Sequence, residues 1–166
     1  MKPNRVHQIL VVDDETAIRE VIAEYLESCG FVVEVASNGA DAIKKLTGGS
    51  FDVVITDLRM APVDGMAVIE GSAARAPRTP VVVLTAHGEI NTAVAALRAG
   101  AFHYLTKPID FEEVARVVDL ALEAPGPQRN LCQGLLAADI EGLAVAGRCC
   151  RLEQQSRLAN AGIAPD

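Results

Sequence analysis

Three aspartates, a threonine and a lysine stand where short apolar runs of the sequence end, and together they favour phosphoryl-transfer chemistry. These residues are Asp13, Asp14, Asp57, Thr85 and Lys107. Carboxylates gathered in one crevice repel each other and require a cation, and a cluster of oxygen donors with open water positions suits Mg²⁺. With Mg²⁺ there, the Asp57 carboxylate can attack a phosphoryl group in line, because the metal neutralises charge on the transferring oxygens. The Lys107 ammonium and the Thr85 hydroxyl would bind the remaining oxygens of the product.

Five β-branched runs alternate with five helical patterns, and this alternation must bring the polar residues together. The predicted strands are Ile9–Val12, Phe31–Val35, Val53–Thr56, Val81–Thr85 and Phe102–Thr106. The predicted helices are Thr16–Ser28, Gly39–Leu46, Gly65–Arg75, Ile90–Arg98 and Phe111–Leu122. Strict alternation predicts an α/β fold, a doubly wound (βα)₅ parallel five-stranded sheet with helices on both faces. Ligand crevices of such sheets lie at the carboxyl ends of the strands, so we expect all five polar residues at one edge.

Each of these residues also has a purely structural interpretation when it is taken alone. The acid pair Asp13–Asp14 is also typical of the start of a helix, Asp57 of a turn, and Thr85 of a strand end. Lys107 alone is equally typical of a solvated loop. Pro108 follows it, and a cis bond there would aim the lysine inward, although trans is the base-rate expectation.

Composition and charge exclude several functional classes. The formal net charge is −7, with 22 acidic against 15 basic residues and no basic run, which disfavours direct binding of nucleic acid. The apolar stretch near the amino terminus is too short for a signal peptide or a membrane span. The four cysteines lack metal-ligand spacing and indicate reduced thiols. We therefore expect a soluble, cytoplasmic protein without membrane association.

Four sequence segments carry a family resemblance. They are VVDDE, ITDLRMAPVDGM, VVLTAHGE and GAFHYLTKPID, in this order along the chain. Together they resemble the receiver domains of bacterial two-component response regulators, and are most similar to receivers of σ54-dependent (NtrC-type) transcriptional activators. The resemblance covers about residues 5–124 and implies a flavodoxin-like, CheY-like fold.

The resemblance implies a role for each matching position in the predicted site. Asp57 would accept a phosphoryl group from a phosphohistidine on a sensor histidine kinase. Asp14 would bind Mg²⁺ directly and Asp13 mainly through water, with the backbone carbonyl of Arg59 completing the protein ligands. Such a domain is a phosphoacceptor rather than an enzyme, since it catalyses only its own phosphorylation and dephosphorylation.

The resemblance further implies a conformational switch. Thr85 and Lys107 would contact the phosphoryl oxygens, and Tyr104 occupies the position of the aromatic switch residue. The alternative for Tyr104 is a half-buried strand aromatic. The face formed by the fourth helix, the fifth strand and the fifth helix (α4-β5-α5) would serve output and homodimer formation.

Two departures from the family pattern stand near the predicted acceptor. Where the family pattern resembles Met-Pro-Gly, this chain has Met60-Ala61-Pro62, with the proline one place later. The family pattern therefore does not predict the turn type of this loop. Arg59 and His87 occupy positions where the family varies residues that tune phosphoryl lifetime. For His87 we favour a solvated loop histidine over a catalytic base.

Residues 125–166 are predicted to be a linker or tail, separate from the receiver domain at 5–124. The run Ala124-Pro125-Gly126-Pro127 ends the last helix, because proline cannot continue its hydrogen bonds. The sequence contains no GxxxxGK phosphate loop, and we therefore expect no ATPase activity from this chain. The helical patterns at Leu135–Leu143 and Leu152–Ala159 are weak. Three interpretations of the tail stay open: a truncated linker, a small interaction tail, or an aberrant reading of what was once a longer regulator.

Two rival functions, one enzymatic and one of cofactor binding, are weighed against the receiver function. A Mg²⁺-dependent phosphohydrolase that forms an aspartyl phosphate would carry a second acid two residues after its nucleophile, where this chain has Arg59. A flavodoxin-like cofactor module would need a Ser/Thr/Gly-rich phosphate loop after the first strand. The loop here is acidic, and without a metal it would repel phosphate.

Overall fold

Parallel strands form one five-stranded sheet in the computed structural model, which describes residues 5–86 and 90–124. The strands are β1 (Gln8–Val12), β2 (Val32–Ala36), β3 (Val53–Asp57), β4 (Val81–Thr85) and β5 (His103–Thr106). Their spatial order is β2-β1-β3-β4-β5, and all neighbouring pairs are parallel. The chain order reverses between β1 and β3, where open α/β sheets form their ligand crevice.

One helix follows each strand. The helices are α1 (Thr16–Ser28), α2 (Gly39–Gly48), α3 (Gly65–Arg75), α4 (Ile90–Ala99) and α5 (Phe111–Glu123). Within the described part of the chain, no helix combines the length and apolar character needed to cross a membrane.

The sheet separates two apolar cores. Residues of α1 and α5 pack with one face of the sheet, and residues of α2, α3 and α4 pack with the other. The three central strands face a core on both sides, which is why β1, β3 and β4 read as continuous apolar runs rather than alternating ones. A rigid, two-sided sheet therefore fixes where its strands end, and with them the polar residues at the carboxyl edge.

Helix starts are set by short polar side chains. Asn38, Asp64 and Asp110 each accept a hydrogen bond from a backbone N–H in the first turn of the helix that follows. At α1 the N-cap residue is Glu15, whose side chain makes no capping bond, and Asp13 accepts from the Glu15 N–H instead. The interpretation of the acid pair as a mere helix cap is therefore not supported.

The predicted fold class is confirmed, and the predicted element bounds differ from the observed ones by at most two residues. β2, for example, begins at Val32 and not at Phe31. The boundary between a domain at 5–124 and a tail at 125–166 stays a prediction. The helical patterns at Leu135–Leu143 and Leu152–Ala159, and His87, lie outside the described residues.

Candidate functional site

Three carboxylates meet at the carboxyl edge of the sheet. Asp13 and Asp14 follow β1, and Asp57 is the last residue of β3, the strand beside it. Each offers a carboxylate oxygen, and these oxygens lie within 4.8 Å of one another. Asp13 is 0% exposed and Asp57 only 7%, whereas Asp14 is exposed. The predicted acid cluster therefore exists, with two buried members and one open to solvent.

The Lys107 ammonium reaches this cluster from the position directly after β5. The Lys107 Nζ donates to Asp13 Oδ2 at 3.1 Å and to Asp57 Oδ2 at 3.2 Å. Its backbone N–H donates to the Thr85 carbonyl at 2.8 Å, which ties the lysine to the end of β4. Three carboxylates against the Lys107 ammonium and the Arg19 guanidinium, which donates to the Asp13 carbonyl oxygen at 2.7 Å, leave an excess of one negative charge. This imbalance favours the binding of a further cation.

Burial and neighbouring charges change the acidity of these groups. Burial raises the pKa of the Asp57 carboxyl, Lys107 opposes that rise, and the charge of Asp13 adds to it. For Lys107, burial alone lowers the pKa, but the hydrogen bond to Asp13 and the charges of Asp57 and Asp13 together raise it above the usual value. The lysine therefore stays an ammonium at neutral pH, while ionisation of Asp57 has a cost that a bound cation would relieve.

The loop after β3 is held close to Asp57 by a glycine. The Gly65 N–H donates to the Leu58 carbonyl at 3.1 Å. A Cβ at Gly65 would lie 2.2 Å from the Asp57 carbonyl oxygen, so only glycine fits there. The Arg59 N–H points back to Asp57 Oδ1 at 3.4 Å. The loop therefore wraps around the Asp57 backbone, and the Gly65 contact keeps it there.

Two proline bonds at the site are cis. They are Ala61–Pro62, in the loop that departs from the family pattern, and Lys107–Pro108. The base-rate expectation of a trans bond after Lys107 is therefore wrong. The Lys107 side chain points toward Asp13 and Asp57, which is the orientation expected for a cis bond.

The two residues of the predicted switch lie in different surroundings. Thr85 is 2% exposed and stands at the carboxyl end of β4, next to the strand that carries Asp57. Tyr104 is 37% exposed on β5, and its ring stacks against His103 at a centroid distance of 5.8 Å. The structure thus brings Thr85 to the edge that holds the acids and leaves Tyr104 on the outer surface of an edge strand.

Arg19 touches the acid cluster and was not among the residues predicted from sequence. Its Nη1 donates to the Asp13 carbonyl oxygen at 2.7 Å, and its Nη2 donates to Thr16 Oγ1 at 3.2 Å. The signal for it was weak: an arginine in the first turns of a helix is common and says nothing about which carbonyl it reaches.

The donor set fits Mg²⁺. Carboxylate oxygens on a partly exposed edge can bind this ion while waters complete its octahedral shell. Among the described residues the cluster contains no histidine or cysteine ligand, which would favour zinc or another softer metal.

Comparison with known proteins gives a consistent result. The sequence model of the family described as "Response regulator receiver domain" matches residues 9–119. The chain is 36% identical over 126 residues to the regulatory protein AtoC of Escherichia coli, a match that covers 76% of this chain and 27% of AtoC. It is 37% identical over 114 residues to the DNA-binding transcriptional regulator NtrC of the same organism, a match that covers 69% of this chain and 24% of NtrC. The chain thus spans about a quarter of the length of these relatives.

Solved structures agree with the sequence matches. The receiver domain of NtrX from Brucella abortus superposes with a TM-score of 0.68 at 33% identity, covering 70% of this chain and 99% of that domain. A receiver domain from Clostridium thermocellum gives a TM-score of 0.67 at 34% identity, covering 70% and 94%. The resemblance inferred from the four sequence segments is confirmed.

Proposed function

The chain belongs to the family of response regulator receiver domains of two-component systems, and on this basis we propose that it accepts a phosphoryl group on Asp57 in a Mg²⁺-dependent reaction. The observation that carries the proposal is the excess of negative charge at the site, where three carboxylates meet and Lys107 pairs with only two of them, Asp13 and Asp57. A structural ion pair has no need of such an excess, whereas a site that binds a metal ion and then a phosphoryl group does.

Asp13, Asp14 and Asp57, with the Arg59 carbonyl, would hold Mg²⁺ at this edge. The ion would supply positive charge against the oxygens of the transferring group. An oxygen of the Asp57 carboxylate forms the new bond to phosphorus, and the bond from phosphorus to its donor breaks. The bonding electrons leave with the donor, which we propose to be a phosphohistidine on a sensor histidine kinase.

Lys107 and Thr85 act on the product of this transfer. The Lys107 ammonium, already 3.2 Å from Asp57, would bind one phosphoryl oxygen, and the Thr85 hydroxyl would donate to another. Movement of Thr85 toward the phosphoryl group would vacate space for Tyr104 to turn inward, which makes these two residues the switch. The exposure of the Tyr104 side chain in the present structure supports a starting position outside the core.

The surface that reports this switch is proposed to be α4-β5-α5. Ile90 and Val94 of α4 and Tyr104 of β5 are exposed apolar side chains on that side of the molecule. Such residues on a protein surface favour contact with a partner or a second copy of the chain. The proposed signal is therefore relayed by contact, in the cytoplasm and without direct binding of nucleic acid by this chain.

Intact-protein mass spectrometry tests the proposal. The full chain is incubated with acetyl phosphate and Mg²⁺ and compared with Asp57→Asn and with a matched control, Asp52→Asn, which changes an aspartate at the start of the same strand. We expect one phosphoryl adduct on the wild type and on Asp52→Asn, and none on Asp57→Asn. An adduct on Asp57→Asn at the wild-type rate would refute the assignment of the acceptor.

The same samples separate the proposal from the phosphohydrolase alternative. A phosphoacceptor consumes about one equivalent of acetyl phosphate in an initial burst and then only as fast as its own aspartyl phosphate hydrolyses. Multiple rapid turnovers without an accumulated adduct would favour an enzyme.

A further inference from the structure

Arg19 joins helix α1 to the loop that carries the acid pair. Its guanidinium donates to the Asp13 carbonyl oxygen at 2.7 Å and to Thr16 Oγ1 at 3.2 Å. The first bond is short and charge-assisted, the stronger class of hydrogen bond in proteins. The second holds the guanidinium against the first turn of α1, so the carbonyl is fixed relative to a helix that packs on the sheet.

Asp13 is fully bonded by its surroundings. Its N–H donates to the Ala36 carbonyl at 3.2 Å, and its Oδ1 accepts from the Glu15 N–H at 2.8 Å. Its Oδ2 accepts from Lys107 at 3.1 Å, and its carbonyl accepts from Arg19. All four polar atoms of this buried residue are therefore satisfied, and Arg19 supplies the only one of these bonds that acts on the peptide unit leading to Asp14.

Asp14 has no comparable support of its own. Its side chain is exposed, and among the described residues its carboxylate accepts no hydrogen bond. The peptide unit between Asp13 and Asp14 is planar, so its oxygen, nitrogen and the two Cα atoms move together. Holding that oxygen consequently restricts where the Asp14 Cα lies, and with it the space that the Asp14 carboxylate can reach.

We propose that Arg19 is a positioning residue for the divalent cation: it fixes the Asp13–Asp14 peptide so that the exposed Asp14 carboxylate faces the same point as Asp13 and Asp57. This inference rests on the proposed function, since it assumes that the cluster binds Mg²⁺. It adds a residue that contacts neither the ion nor the phosphoryl group. Partners that orient metal-binding groups in this way typically change metal affinity by about 10- to 100-fold when removed.

Charge and position predict opposite results for Arg19. If the arginine acted only through its positive charge, its removal would reduce repulsion of Mg²⁺ and tighten binding. If it acts by holding the peptide, its removal leaves Asp14 free to swing away and weakens binding. The sign of the change in affinity therefore decides between the two roles.

Isothermal titration calorimetry of the full chain with Mg²⁺ alone measures that sign without any phosphoryl donor. We expect the dissociation constant of Arg19→Ala to rise by about 10- to 100-fold over wild type. Arg19→Met keeps the aliphatic stem and good helix propensity, so it carries the same expectation if the alanine variant folds poorly. Arg19→Lys keeps one charged donor for the carbonyl and should lie between wild type and Arg19→Met.

Arg75→Ala is the matched control, because Arg75 is an exposed arginine in the last turn of α3 and its removal changes the net charge by the same amount. We expect its dissociation constant to stay within about twofold of wild type, since salt screens a distant exposed charge. Unchanged or tighter binding by both Arg19→Ala and Arg19→Met would overturn the positioning role while leaving the metal site intact. Absence of Mg²⁺ binding by wild type would instead overturn the metal site of the proposed function, and this inference with it.

Discussion

The two ends of the sheet both hold buried or partly buried aspartates, but their charge balance is opposite. At the amino end, Asp52 immediately precedes β3. Its Oδ1 accepts from Arg5 at 2.8 Å, its Oδ2 accepts from the Gln8 N–H at 3.0 Å, and His7 Nδ1 lies 3.5 Å from that second oxygen. At the carboxyl end, three carboxylates meet, and Lys107 pairs with only two of them, Asp13 and Asp57, while Asp14 has no ion pair among the described residues.

The difference separates a structural ion pair from a proposed binding site. One carboxylate with an arginine and a backbone donor is satisfied by the protein itself, and such a pair contributes modestly to stability. An acid cluster with too few cations lowers stability until a ligand supplies the missing charge, as functional sites commonly do. The carboxyl end should therefore respond to Mg²⁺, to phosphoryl donors and to pH in ways that the amino end does not.

The largest expected effect is the loss of phosphoryl uptake when the metal is removed. Excess EDTA leaves the cluster with its charge excess, so the rate of Asp57 labelling should fall by roughly a hundredfold or more. Intact-mass time courses with and without chelator measure this rate. Undiminished labelling in EDTA would mean that the charge excess does not serve a metal, and restoring Mg²⁺ is the control.

A smaller effect is expected when the loop beside Asp57 is overfilled. Gly65→Ala places a Cβ 2.2 Å from the Asp57 carbonyl oxygen, so the loop or the end of β3 must shift. We expect a loss of about 1–3 kcal/mol in the free energy of unfolding and a labelling rate lower by roughly tenfold.

Gly48→Ala is the matched control for this loop. A Cβ at Gly48, in the last turn of α2, meets nothing within 4 Å. It should leave labelling unchanged and alter the free energy of unfolding by less than about 1 kcal/mol. Equal loss in both variants would show that Gly65 has no particular role at the site.

Opposite changes in stability are expected when Asp52, directly before β3, and Asp57, at its end, are neutralised in turn. Asp52→Asn breaks the pair with Arg5 and should lower the free energy of unfolding by about 1 kcal/mol at most. Asp57→Asn removes a carboxylate whose pKa is raised by burial and by Asp13, so without metal it should raise the melting temperature at pH 7. A lower melting temperature for Asp57→Asn would contradict the idea of a charge excess.

Comparison of wild type with Asp57→Asn across a range of pH tests the titration of Asp57. The raised pKa of Asp57 means that the folded state binds this proton more tightly than the unfolded chain does, so the associated stability is present at low pH. That stability is lost as the pH rises from the ordinary value of 3.8 through the raised folded value. The melting-temperature advantage of Asp57→Asn should therefore grow across this window, and a constant difference would argue against titration of Asp57.

The smallest effect on chemistry is expected at Thr85. Thr85→Ala removes a hydroxyl that we propose to bind the phosphorylated product rather than the acceptor, so phosphoryl uptake should stay within a few-fold of wild type. The conformational response should weaken, which amide chemical shifts of β5 around Tyr104 report when beryllofluoride is added as a phosphoryl mimic. An unchanged response would remove Thr85 from the switch.

Much of the fold and of the site could be predicted because both depend on local patterns. β-Branched runs and helical spacing predict the five strands and helices, and the strand-end rule then places Asp13, Asp57 and Lys107 on one edge. The Lys107 contact with two of the acids follows from that placement and from opposite charge.

The features that sequence reasoning missed depend on residues brought together from far apart or on the orientation of one backbone group. The amino-end cluster joins Arg5 to Asp52, 47 residues away. The Arg19 bond to the Asp13 carbonyl and the contact of Gly65 with Asp57 depend on loop geometry that no side-chain pattern encodes. The exposure of Tyr104 likewise depends on packing along β5 and not on its own sequence neighbours.

Residue-level mapping of the phosphoryl group is the most direct test that Asp57 is the acceptor. The labelled chain is reduced with borohydride, which converts an aspartyl phosphate to homoserine, and is cleaved with trypsin. Asp52 and Asp57 fall on the same peptide, Leu46–Arg59, so fragment ions of that peptide compare the two ends of the strand within one molecule. We predict the modification on Asp57 alone and only when Mg²⁺ is present. Modification at Asp52 or outside this peptide, or labelling independent of Mg²⁺, would contradict Mg²⁺-dependent phosphorylation of Asp57.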